Sequence, residues 1–256
     1  MSLHLAPRTY CLLLMLLSLP LGLQAQIGQH RDEFAVGVSG GYVMSQINFK
    51  PDVQQGWMGS PMVGLTLRYT TEKYFSSVCA IVGEVNYVKI GWKQKILTLT
   101  DEPVINTVTN EAEKYERRIG YVQVPLLARL GWGRERKGMQ FFFQIGPQVG
   151  FYLNEKTEAN YELSRRNIGM RSSVVIKQET MPVENKFDYG IAGGIGLEYS
   201  HPKLGHFLLE GRYYFGLGNI YGNTKRDYFA RSNYANIMVK ASWLFDIAKT
   251  KNEKVK

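Results

Sequence analysis

Cysteine is almost absent from this chain. Of the two, Cys11 falls inside an apolar run near the start, which leaves Cys79 alone in the remainder, so no intrachain disulfide can form there. Histidine is also scarce. Beyond residue 25 it occurs only as His30, His201 and His206, and no His/Cys group has metal-ligand spacing. After residue 25 no run approaches the roughly 18–20 apolar residues of a membrane helix. A chain without disulfide, metal or spanning helix can enter a membrane only as a closed barrel, in which every backbone polar group is paired.

What is present begins with a leader. Residues 1–25 combine Arg8, the run "CLLLMLLSLPLGL" and a small residue, Ala25, before a plausible cut, the pattern of a cleaved secretory signal peptide. Cys11 lies within the apolar run and not at the cut, which argues against lipidation. About 230 residues remain, enough for one barrel, expected over residues 26–245, with a basic periplasmic tail over 246–256. The net charge of +9 would suit nucleic acid, but an exported chain meets anionic lipid and sugar phosphates instead.

Eight segments alternate with period 2. In "YVQVPLLARL", Val122, Val124, Leu126, Ala128 and Leu130 share one face, opposite Gln123, Pro125 and Arg129. "FFFQIGPQVGFYL" sets Phe141, Phe143, Ile145, Val149 and Phe151 against Gln144, Gly146, Gln148 and Gly150. "FDYGIAGGIGLEY" opposes Phe187, Tyr189, Ile191, Ile195 and Tyr199 to small residues. Its glycines have a nucleotide-loop flavour, but the alternation continues and no helix follows. The gaps between segments run long, short, long, short from the first strand onward. That is the habit of an eight-stranded antiparallel up-and-down transmembrane β-barrel with short periplasmic turns and long extracellular loops.

A soluble barrel would show the same alternation with its apolar face inward. Two arguments turn it outward. An eight-stranded barrel holds little more than its own side chains, and the glycine-rich face fits where the phenylalanine-rich face does not. The aromatics also fall in two belts. Phe34, Tyr69, Tyr199, Phe207, Trp243 and Phe245 lie at the short-turn ends; Tyr42, Tyr87, Phe151, Phe187, Tyr189 and Phe215 lie towards the long loops.

The inward face then carries Arg68, Glu84, Arg129, Glu198, Glu210, Arg212 and Lys240. Buried charges persist as pairs, so one connected ionic network is expected, plugging the lumen; a gated ion path is the alternative. In the long loops, Arg165, Arg166, Arg171, Lys225, Arg226 and Arg231 are expected as exposed cations. They read either as contacts to lipopolysaccharide phosphates or an acidic partner, or as solvated loop residues. No catalytic set and no cofactor are expected.

These strands resemble the PorT-like family of small outer-membrane β-barrel proteins. The resemblance rests on a Tyr-x-x-x-Pro-Leu-Leu strand (Tyr121, Pro125, Leu126, Leu127) and a Gly-Pro-x-x-Gly strand (Gly146, Pro147, Gly150), and runs from Gln26 to Phe245. It implies a cell outer-membrane barrel of a Gram-negative cell. The implied partners are membrane lipid, lipopolysaccharide and the barrel assembly machinery, with secretion-pathway proteins if the chain is an accessory of type IX secretion. Barrels of this kind often end on an aromatic residue; here an internal signal at Trp243–Phe245 would precede the tail. The function expected is non-catalytic, with a barrel enzyme acting on lipid or protein as the remote alternative.

Overall fold

The computed structural model describes residues 29–74, 76–134, 137–164, 166, 168–222 and 227–249. The expected leader and the last seven residues lie outside that set. Nine strands form: β1 (Gln29–Lys50), β2 (Gln55–Gly56), β3 (Met58–Tyr74), β4 (Ser77–Gln94), β5 (Tyr115–Gly133), β6 (Gly138–Ala159), β7 (Phe187–His201), β8 (Gly205–Gly216) and β9 (Arg231–Ala248). Eight of them make the wall. Each pairs antiparallel with its neighbour; β1 meets β9 from Phe34 with Ala248 to Lys50 with Arg231, and β4 pairs with β5, so the ring has no long open edge. The two-residue β2 is an outer strip on β4, pairing Gln55 with Gln94. The last strand runs three residues beyond the expected end at Phe245, so the start of the expected tail belongs to the wall.

Short connections join β3 to β4, β5 to β6 and β7 to β8; long ones leave the other end. The β7–β8 turn leads into Gly205 at φ +84° with the Leu244 carbonyl against it, where a side chain would be both strained and obstructed. Along each strand, successive side chains alternate between wall and lumen. Val63, Leu65 and Leu67 are about half exposed while Thr66 and Arg68 are buried. Across β8 and β9, Phe207 faces Trp243 in register, and their rings stack at 5.7 Å.

All twelve belt aromatics lie on the outer face. In the lower belt Trp243 also packs on Phe245 at 4.5 Å and donates its indole N–H to the Leu204 carbonyl at 2.7 Å, while the Tyr69 hydroxyl donates to Asp32 Oδ1 at 2.6 Å. In the upper belt Phe187 lies 5.5 Å from Phe151 and 6.2 Å from Tyr189. Trp132, stacked on Phe141 at 6.2 Å, joins the lower belt, although sequence spacing put it in a turn.

Several strands outrun the lipid. Tilted strands need about 9–11 residues to cross a bilayer, whereas β1 and β6 each have 22. Where they leave it, the polarity of the alternation inverts. On β4, Ile81, Val85 and Tyr87 point outward; then Lys89 and Lys93 take the outward positions, and Val88, Ile90 and Trp92 are fully buried inside. β1 does the same after Met44, with Ile47 and Phe49 inward and Asn48 and Lys50 outward. Water outside and a filled lumen inside require that change of phase; hydrocarbon outside requires the opposite.

The lumen therefore differs from a uniformly polar and small interior. Its outer half holds an apolar and aromatic core that includes Phe49, Trp92, Tyr115, Tyr121, Tyr221, Phe229 and Tyr234. At the periplasmic end, Phe142 packs with Ala35, Leu208 and Leu244. Gly196 makes that possible, because a Cβ there would run into the Phe142 ring and the Leu209 carbonyl. Gly196→Ala is expected to destabilise the barrel by about 1–3 kcal/mol, with Phe142→Leu in the same chain recovering part of the loss in urea unfolding. An unchanged midpoint for Gly196→Ala would contradict this packing.

Candidate functional site

The seven expected lumen charges are all buried, at 1–7 % exposure, and the structure sorts them into two tiers instead of one network. The deeper tier, towards the middle of the barrel, centres on Glu84. Its Oε1 accepts from Arg212 Nη2 at 2.7 Å and Lys240 Nζ at 2.5 Å; its Oε2 accepts from Arg212 Nη1 at 2.9 Å and Asn86 at 2.8 Å. Glu210 completes the tier, 2.5 Å from Arg212 and 3.2 Å from Lys240, which lies opposite it across the β8–β9 ladder. Gln144 donates to the other Glu210 oxygen at 2.7 Å. Two carboxylates thus meet two cations.

The periplasmic tier centres on Glu198. Arg68 Nη1 bridges both its oxygens at 2.8 Å, and Arg129 pairs with Oε2. Arg129 lies 3.8 Å above the Phe142 ring centroid. Sequence spacing missed two members. His206 Nδ1 stands 2.6 Å from Glu198 Oε1, and its Nε2 lies 3.0 Å from Asp246. Their signal was parity: His206 alternates with Phe207, and Asp246 with Phe245, so both face inward.

The expected loop cations behave differently from one another. Arg165, Lys225 and Arg226 lie outside the described residues. Arg231 is exposed. Arg171 is buried, so its expected exposure is corrected. Its Nη2 pairs with Glu113 Oε2 at 2.7 Å, its Nη1 pairs with Glu179 Oε1 at 2.7 Å, and its guanidinium lies 5.1 Å from the Tyr161 ring. Arg166 is half-buried and reaches Glu179 at 3.2 Å. A desolvated cation persists where two carboxylates meet its fork; Glu113 was not visible as a partner because it lies 58 residues away, and Glu179, eight residues on in the same connection, has no periodic spacing to mark it. Burial pulls the Arg171 pKa down, but Glu179, Glu113 and Tyr161 outweigh it and hold it above the usual value. Burial, then the Glu179 charge, pushes the Tyr161 phenol up.

That clip pins the β6–β7 connection across the mouth of the barrel. Gln178 is fully buried; Tyr221 donates to its carbonyl at 3.2 Å, and Tyr115 donates to that of Glu179 at 3.2 Å. Arg117 donates to the Met181 carbonyl at 2.5 Å and lies 5.6 Å from the Trp92 ring. The lumen is thus occupied along its length: ionic tiers below, aromatic core above, a pinned loop over the top. No group of three or more potential metal-ligating side chains occurs among the described residues.

A closed antiparallel ring, apolar outside where it crosses lipid and ionic within, defines an outer-membrane β-barrel. Residues 24–222 match the family model described as "Outer membrane protein beta-barrel domain", and the chain belongs to that family. It resides in the cell outer membrane. A search of curated proteins finds no match. Similar solved structures include OprG from Pseudomonas aeruginosa (12% identity, TM-score 0.40, covering 85% of this chain and 98% of that one). Neisserial surface protein A is 8% identical, with TM-score 0.39 over 83% and 97%. Ail, the attachment invasion locus protein of Yersinia pestis, is 13% identical, with TM-score 0.34 over 83% and 99%.

Proposed function

We propose that this barrel is a non-catalytic, non-conducting outer-membrane protein that acts by binding at its outer loops and at the short turns on its periplasmic side. The observation that carries this reading is the doubly filled lumen. Glu84, Arg212 and Lys240 close one level with ion pairs and Trp92, Tyr115 and Tyr221 fill another as part of a buried aromatic cluster. Reconstituted into planar bilayers, the purified protein is expected to give no stepwise current; reproducible single-channel steps would defeat the proposal.

A narrower reading, an accessory part in type IX secretion, is supported by the PorT-like motifs. Pro125 and Leu127 both face the lumen, where a proline's missing N–H and a packed leucine suit the wall. Deleting the gene and assaying surface-protein export separates the two readings. Impaired export supports the accessory role, and normal export ends it.

A further inference from the structure

We propose that the outer wall carries a binding site for the phosphorylated headgroup of an outer-leaflet glycolipid, built at β1 and β9 around Lys50 and Arg231. The site goes beyond the loop-binding reading and stands on the membrane placement alone.

The first observation is a local conflict. Lys50 and Arg231 are direct cross-strand partners at the outer end of the β1–β9 ladder, and both point outward. Like charges at such a position repel and destabilise the pair. Two other cations on the extended wall are answered by acids, Arg118 by Glu116 at 2.5 Å and Lys156 by Glu158 at 2.7 Å; among the described residues Lys89 and Lys93 are not, but they face Gly120 and Glu116 across the ladder and so meet no like charge there. At Lys50, Arg231 and the nearby Lys95, no acid partner occurs among the described residues. An anion between the two facing cations removes the repulsion.

The second observation is a cavity. A recess of about 810 Å³ is lined by Lys50, Lys95 and Arg231, with Asp52 as its one acid and with Tyr213 and Phe215 on its wall. Among amide and aliphatic side chains such as Gln46, Asn48 and Leu97, the lining thus includes a cationic group and an aromatic group. The aromatic group belongs to the lipid-facing surface of β8, in register with Ile237 and Ala235 of β9, which pair in turn with Met44 and Gln46 of β1. The cationic group stands beyond Met44, where the outer face has already turned from apolar to polar. A ligand that fits both must be anionic at one end and apolar at the other, and must approach from the membrane. A phosphorylated glycolipid meets those terms: its phosphate bridges Lys50 and Arg231, and its acyl chains lie along Tyr213, Phe215 and Met44. Free phosphate would satisfy the cations but leave the aromatic wall uncovered.

The test uses the full barrel, stripped of lipid in mild detergent and then offered bis-phosphorylated lipid A, with retained lipid counted by native mass spectrometry. The wild type is expected to hold one molecule. Lys50→Gln with Arg231→Gln is expected to weaken retention at least about tenfold, since each cation near an anionic headgroup contributes several-fold. Arg118→Gln with Lys156→Gln, which removes paired cations elsewhere on the wall, is expected to retain lipid like the wild type. Should the first double variant fail to give the compact heat-modifiable gel band, Lys95→Gln, outside the wall ladder, takes its place with an expected severalfold loss. Equal retention by the variant and the wild type overturns the site, and so does an equal loss in the control. Full retention of a dephosphorylated lipid A, or displacement of the lipid by millimolar inorganic phosphate, overturns the assignment of the headgroup.

Discussion

Glu84→Ala should cost the folded barrel about 3–5 kcal/mol, the range expected when one partner is removed from a buried ion pair. Glu84 is the acceptor for four donors at 2.5–2.9 Å from Arg212, Lys240 and Asn86. Without it, Arg212 and Lys240 share Glu210 alone, and one positive charge is left uncompensated where exposure is 2 % or less. Urea titration of the barrel in vesicles, read by heat-modifiable gel migration, measures the loss. A compensating chain distinguishes charge from packing: Glu84→Leu with Lys240→Met leaves Arg212 opposite Glu210 and should recover most of the stability. A loss of under about 1 kcal/mol for Glu84→Ala would mean that water reaches this level, and the lumen would not be sealed there.

The second large effect belongs to the outer clip. Arg171→Ala removes the cation shared by Glu113 and Glu179, so that two buried carboxylates lose their common guanidinium and Glu179 keeps the half-buried Arg166. The cost, about 3 kcal/mol or more, falls on a connection and not on the wall. The β6–β7 segment should then open on the order of 100-fold more often, and limited proteolysis of intact cells should cleave it correspondingly faster. The barrel itself should keep its compact gel band. Arg171→Lys should fall between, because an ammonium cannot fork to two carboxylates as a guanidinium does. Cleavage of Arg171→Ala at the wild-type rate would show that the mouth is held closed by Tyr115, Tyr221 and Gln178 without the ion pairs.

Most of the wall was legible in the sequence. Alternation in β3, β7 and β8 follows from one physical demand, hydrocarbon outside and little room inside, and the long–short rhythm of the gaps follows from an up-and-down path. The seven lumen charges were legible for the same reason, since parity alone fixes which side a residue faces. What parity could not give was reach. Whether Glu84 meets Arg212 or Arg129 depends on strand tilt and side-chain length, so two tiers replaced the single network expected. The outer ends of β1, β4 and β5 fell outside the eight alternating segments because their apolar phase is reversed: in "YVKIGWK" the alternation never stops, but Val88, Ile90 and Trp92 have changed sides. A reading that tracks phase as well as period would have extended these strands. Arg171 was beyond reach by any local pattern, because Glu113 belongs to a different connection.

The seam between β1 and β9 has a kinetic meaning. Every other wall pairing joins strands adjacent in sequence, apart from the minor strip of β2, and can form as a hairpin while the rest of the chain is still loose. This one pairs the first strand with the last along nearly its whole length. Until β9 arrives, the leading edge of β1 has exposed amides and carbonyls and cannot reside in hydrocarbon, so a partly assembled sheet has no stable place in the bilayer. Non-local closure of this sort makes assembly slow and all-or-none, with the incoming hydrophobic strands needing shelter until the final zip.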